Sequence, residues 1–185
     1  RVLSRADVRR GDFRTLCATR DRLFRYANCI LLGMPIWFII GILATFSPEL
    51  GKALEMPELP KAGRAVLWLY LGCAIGDFAS GGLSQLLKSR RKAAFVFVGG
   101  CVVTVGLLLT ARGATTSYFY AVIGAMGFFT GYWAVFMTIA SEQFGTNIRA
   151  TVTTTVPNFV RGALVPISTG FQALKAGLGV VGAAS

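Results

Sequence analysis

Arg161 stands alone in a long apolar run, "TVTTTVPNFVRGALVP". A guanidinium in such a place can grip a carboxylate or phosphate through two parallel hydrogen bonds. It can also hold and release a buried carboxylate that carries protons. Asp77, in "GCAIGDFASGG", is the matching candidate acid, since it too sits inside an apolar run. A charge at the centre of a membrane helix costs ~2.5–3.5 kcal/mol by insertion scales, so these positions are functional by default. Thr151, Thr154, Asn158 and Arg161 are spaced three, four and three residues apart, which lines them along one helix face, with Thr155 at its edge. A polar stripe with a charge inside it calls for a water-filled cavity or a polar partner. Two readings stay open for Asp77 and Arg161: a buried ion pair that fixes packing, or a cavity site that works on a solute.

The elements that must position these residues are membrane spans. Of the 185 residues 54% are apolar and 15% charged, where a soluble domain carries about a quarter charged. Crossing about 30 Å of hydrocarbon takes roughly 20 helical residues. Runs at 27–46, 65–87, 93–111, 117–141 and 150–171 meet that length, and a partial sixth begins near 177. The expected fold is therefore all-α, a polytopic membrane bundle. Counting eleven residues from Lys88 to Asp77 gives about 16 Å of helix, and twelve from Arg149 to Arg161 about 18 Å. Both charges fall near the midplane. Within the second span Gly72, Gly76, Ser80 and Ser84 recur every four residues, a small face on which another backbone can lie. Gly33, Pro35 and Gly41 interrupt the first span beside Trp37, and Gly124, Gly127 and Gly131 interrupt the fourth beside Tyr132 and Trp133. Interruptions at matching positions of two repeats point to a transport site. Tyr132, Trp133 and Trp37 suit its wall, though for each taken singly plain helix packing is the preferred reading.

The loops set orientation. The head 1–26, the loop "KSRRK" and the loop "EQFGTNIR" hold 13 Lys and Arg, against 5 on the opposite side. The positive-inside rule places the first set in the cytoplasm, with the plasma (inner) membrane as the expected location. The head reads as a basic amphipathic linker lying along lipid headgroups. There is no nucleic-acid-binding motif despite the net charge of +11. With no histidine, no CxxC, no GxSxG and no Ser–Lys dyad within the spans, neither a metal or cofactor nor an enzyme is expected. Cys17, Cys29, Cys73 and Cys101 read as small hydrophobes.

Two loops carry a family resemblance. "GGLSQLLKSRRK" resembles the loop between the second and third helices of each half in the major facilitator superfamily, and "EQFGTNIRAT" resembles the loop leading into the fifth helix of the second half. Gln85, Leu86 and Lys88 stand where that first motif carries an acid, an arginine and a glycine. The resemblance implies that the chain is the second half of a secondary transporter, helices seven to twelve with the last truncated, and that a first six-helix half precedes it. It implies alternating access for a small solute, with the polar stripe beside the cavity. Glu142, Arg149, Arg90 and Arg91 would then form a cytoplasmic gate. The other expectation is a receptor or assembly component that uses the same fold without transporting.

Overall fold

The structure, a computed structural model, describes residues 19–184, so the head's first eighteen residues and Cys17 lie outside it. Among the described residues every regular element is helical. They run α1 (Arg20–Phe38), continued by a π-helical turn (Ile39–Ala44), then α2 (Ser47–Ala53), α3 (Ala62–Leu86) and α4 (Arg90–Leu109). After these come α5 (Thr116–Thr130), α6 (Trp133–Glu142), α7 (Thr146–Gly162) and α8 (Leu164–Ala184). Among the described residues five stretches are long and apolar enough to cross a bilayer, and large side chains such as Phe78, Phe95 and Val165 point outward with most of their surface exposed. Apolar surface on that scale belongs against lipid. The chain is an integral membrane protein.

The first three expected spans match α1 with its π-helical turn, α3 and α4. The fourth differs, because α5 ends at Thr130 and α6 starts at Trp133, with non-helical backbone at Gly131 and Tyr132. The fifth differs as well. Ile148–Ala184 is one apolar run of 37 residues, about 55 Å if straight and far more than a bilayer core needs. It is divided at Ala163, the residue between α7 and α8, and again at Gly179, whose φ of 73° leaves the helix. That second break falls two residues past the expected start of the sixth span.

The small face of α3 works as a docking strip. Gly72 and Gly76 lie on the backbone of Gly124 and Phe128 in α5, and Gly127 lies on the carbonyl of Leu69. A Cβ at any of the three would overlap backbone atoms of the other helix. Ser80 is fully buried and returns its hydroxyl to the Asp77 carbonyl at 3.0 Å. Phe97 of α4 then stacks on Phe128 with ring centroids 5.6 Å apart and meets Tyr132 edge-on at 6.4 Å. Cys29 and Cys101 are buried free thiols in this packing, as small hydrophobes would be.

On α7, Ile148, Val152, Val156 and Val160 recur every fourth residue and are buried. They pack α7 onto the bundle, with Val160 against Gly33 of α1. The opposite face is then left for polar residues. At the far end Phe171 meets Phe46 at 5.2 Å, and Lys175 pairs with Glu49 of α2. Thr146 to Lys175 thus spans from the side of the basic loops to the side of α2, with Arg161 halfway along.

Candidate functional site

The sequence places Thr154, Asn158 and Arg161 on one face, and in the structure all three are exposed, opposite the valines, with Thr151 and Thr155 half-buried. Local bonding quiets part of this stripe. The Thr154 hydroxyl donates to the Ala150 and Thr151 carbonyls at 3.0 Å, and the Asn158 amide donates to the Thr154 carbonyl at 2.9 Å. Thr155 accepts from the Tyr26 hydroxyl at 2.8 Å while donating to Thr151, so it belongs to the contact between α1 and α7. Pro157 has no N–H for the carbonyl one turn back, at Thr153.

Arg161 reaches toward two indoles. Its guanidinium carbon lies 5.6 Å from the Trp37 ring centroid and 5.6 Å from that of Trp133. The two indoles meet edge-on at 6.4 Å. Three elements converge here: α1 brings Trp37, the start of α6 brings Trp133, and the end of α7 brings Arg161. A cation over indole faces gains about 0.5–1 kcal/mol per ring at exposed sites. The rings orient the charge without neutralising it, as a carboxylate would. Among the described residues the ion pairs are Asp21–Arg25, Glu142–Arg90 and Glu49–Lys175. Arg161 is in none of them. The indole Nε1–H of Trp37 is buried without a hydrogen-bond partner, a second donor lacking an acceptor beside this cation.

Asp77 does not pair with Arg161. Its carboxylate faces the backbone of Trp133 and Ala134, which open α6, without closing a hydrogen bond to either. The first N–H groups of a helix have no partner within it and favour a negative charge. Gly131 makes the approach possible, since a Cβ there would strike Gly76 and the Asp77 nitrogen at 2.5 Å. So Asp77 faces the start of a broken helix from its neighbour, with Oδ1 buried and unpartnered. Trp133 is shared: its backbone faces Asp77 and its ring faces Arg161. We predict that Asp77→Asn keeps a polar group facing these N–H groups and folds, whereas Asp77→Leu leaves them facing hydrocarbon at a cost of about 1–3 kcal/mol. Thermal midpoints of the purified variants check this, and equal midpoints would show that the break has no need of the carboxylate.

Tyr132 takes the packing role of its two readings. It is completely buried, and its hydroxyl donates to the Leu32 carbonyl of α1 at 2.7 Å. It ties the broken span to α1 and presents no surface to a cavity. At the basic loops, Glu142 pairs with Arg90 and both remain about half exposed. Arg149 and Arg91 are exposed and join no ion pair among the described residues. The pair made therefore ties α4 to α6 within the same bundle.

The sequence reading singled out Arg161 and Trp133 but did not connect them to each other or to Trp37. Those three residues touch only through the fold, and periodicity along one helix carries no signal of it. Neither family models, nor characterised proteins, nor solved structures show a match to this chain.

Proposed function

We propose that the chain is a six-helix half of a secondary transporter of the major facilitator type, moving a small solute that carries an anionic group. The observation that carries this reading is the exposed guanidinium of Arg161, halfway along its crossing, held between Trp37 and Trp133 with no carboxylate on it. Lipid cannot satisfy that face, so the Thr154–Asn158–Arg161 stripe faces water or another polar surface. Irregular backbone supports the same reading. The first span has its π-helical turn and the fourth its break at Tyr132, and such interruptions accompany binding sites in transporters. The basic loops are assigned to the cytoplasm by their charge excess.

In this reading two halves rock about the stripe. Arg161 binds the solute's anionic group, and Asp77, if it takes up a proton, weakens the start of α6 beneath Trp133. The test is flux into liposomes containing the full-length protein, across a panel of carboxylates, phosphate esters and neutral solutes. Saturable uptake of an anionic member is expected. A panel with no saturable uptake would favour the receptor or assembly reading, which uses the same polar stripe to hold a partner helix.

A further inference from the structure

At the end of the bundle bearing the basic loops, a crevice of about 620 Å³ opens between α1, the α3–α4 turn, α4 and α6. Four cations line it, namely Arg25, Lys88, Arg90 and Arg91, against one carboxylate, Glu142. Glu142 is committed to Arg90, and Arg25 is held by Asp21 at 2.9 Å. Lys88 and Arg91 join no ion pair among the described residues. The crevice therefore carries uncompensated positive charge.

The backbone at Lys88 is a second, independent observation. The turn after α3 closes with the Ser89 N–H donating to the Ser84 carbonyl at 3.2 Å and the Lys88 N–H to Gln85 at 3.1 Å. This closure puts its penultimate residue in the left-handed region, where glycine is the usual occupant. Here the residue is Lys88, with φ of 47°. A side chain at that position is a local cost, and what it adds is an ammonium in the crevice.

A further crevice of about 360 Å³ shares Arg91, Ile139 and Gln143 with the first and continues past Leu32, Ala94 and Phe95. The polar opening thus runs into an apolar one, with Arg91 at the junction. Leu86 stands 82% exposed on the neighbouring α3 surface. A basic mouth leading to an apolar slot on a membrane protein matches a headgroup phosphate followed by the first part of an acyl chain. We infer that this crevice binds an anionic phospholipid, with Lys88 and Arg91 on the phosphate.

The test is the thermal midpoint of the full-length protein in detergent, titrated with a short-chain phosphatidylglycerol, with the matching phosphatidylcholine, or with inorganic phosphate. Phosphatidylglycerol should raise the midpoint at concentrations where the other two do not. Lys88→Gly and Arg91→Gln should each weaken its half-saturating concentration about fivefold, from the loss of one cation near an anionic headgroup. Lys88→Gly carries an internal control. Without lipid it should melt about 2 °C or more higher than the parent, because glycine relieves the left-handed turn. Equal shifts from inorganic phosphate, or an undiminished phosphatidylglycerol response in both variants, would overturn the proposal.

Discussion

Arg161→Ala in the full-length protein should abolish or strongly slow uptake while leaving the protein inserted and monodisperse. The side chain is exposed and makes no ion pair among the described residues, so its removal strips only its contacts with Trp37 and Trp133. Those contacts are worth about 0.5–1 kcal/mol per ring, too little to unfold a bundle. If the guanidinium grips the solute's anionic group, losing that grip costs at least about 2 kcal/mol, roughly thirtyfold in rate. Arg161→Lys should rescue poorly, since an ammonium cannot make two parallel hydrogen bonds and loses the planar face that lies on the indoles. Because Asp77 faces the start of α6 and makes no ion pair with Arg161, the double variant Asp77→Asn, Arg161→Gln should stay as inactive as Arg161→Ala. Uptake near the parent rate in Arg161→Ala would sink the transport role of this residue.

The largest loss of folded protein should come from Gly127→Val, with Gly76→Val close behind. Each new side chain would have to occupy space held by backbone of the facing helix, Leu69 in one case and Phe128 in the other. Backbone cannot swing aside as a side chain can, so the cost should reach about 3 kcal/mol or more. That is a large share of the roughly 5–15 kcal/mol that holds a typical domain together. Gly82 in α3 and Gly99 in α4 serve as controls, since both have open space where a Cβ would go. Gly82→Ala and Gly99→Ala should therefore be neutral, or more stable by about 0.5–1 kcal/mol. Size-exclusion profiles of the four variants give the comparison. Similar monodisperse yields throughout would mean that α3 and α5 do not need their close approach.

The spans were legible because length and hydropathy suffice to define a crossing. Residues 65–87 and 93–111 of the sequence reading became α3 and α4 within three residues at each end. The docking strip was legible too, since small residues every four positions have one obvious use. What escaped was set by contacts between distant segments. Gly131 marks an interruption in the fourth span, but that the start of α6 faces a carboxylate from α3 lies outside any local window. Depth along a helix follows from counting residues, which put Asp77 and Arg161 at one level. Direction around the bundle does not follow from counting, and it separates them, one at the backbone of Trp133 and the other at its ring. Tyr132 looked like a cavity residue because its type fits either place, and only burial decides.

The contact between α3 and α5 has a mechanical consequence. Where backbone lies on backbone there are few side chains to repack, so these two helices resist sliding and act as the stiff part of the bundle. Compliance is left to the places where the helical ladder is irregular, among them the π-helical turn Ile39–Ala44 in the first span and the joint at Ala163 in the fifth. These two places touch, because Leu164 packs directly onto Gly41. A bend in one span is thereby transmitted to the other at a single level of the membrane, a few residues from Trp37 and Arg161.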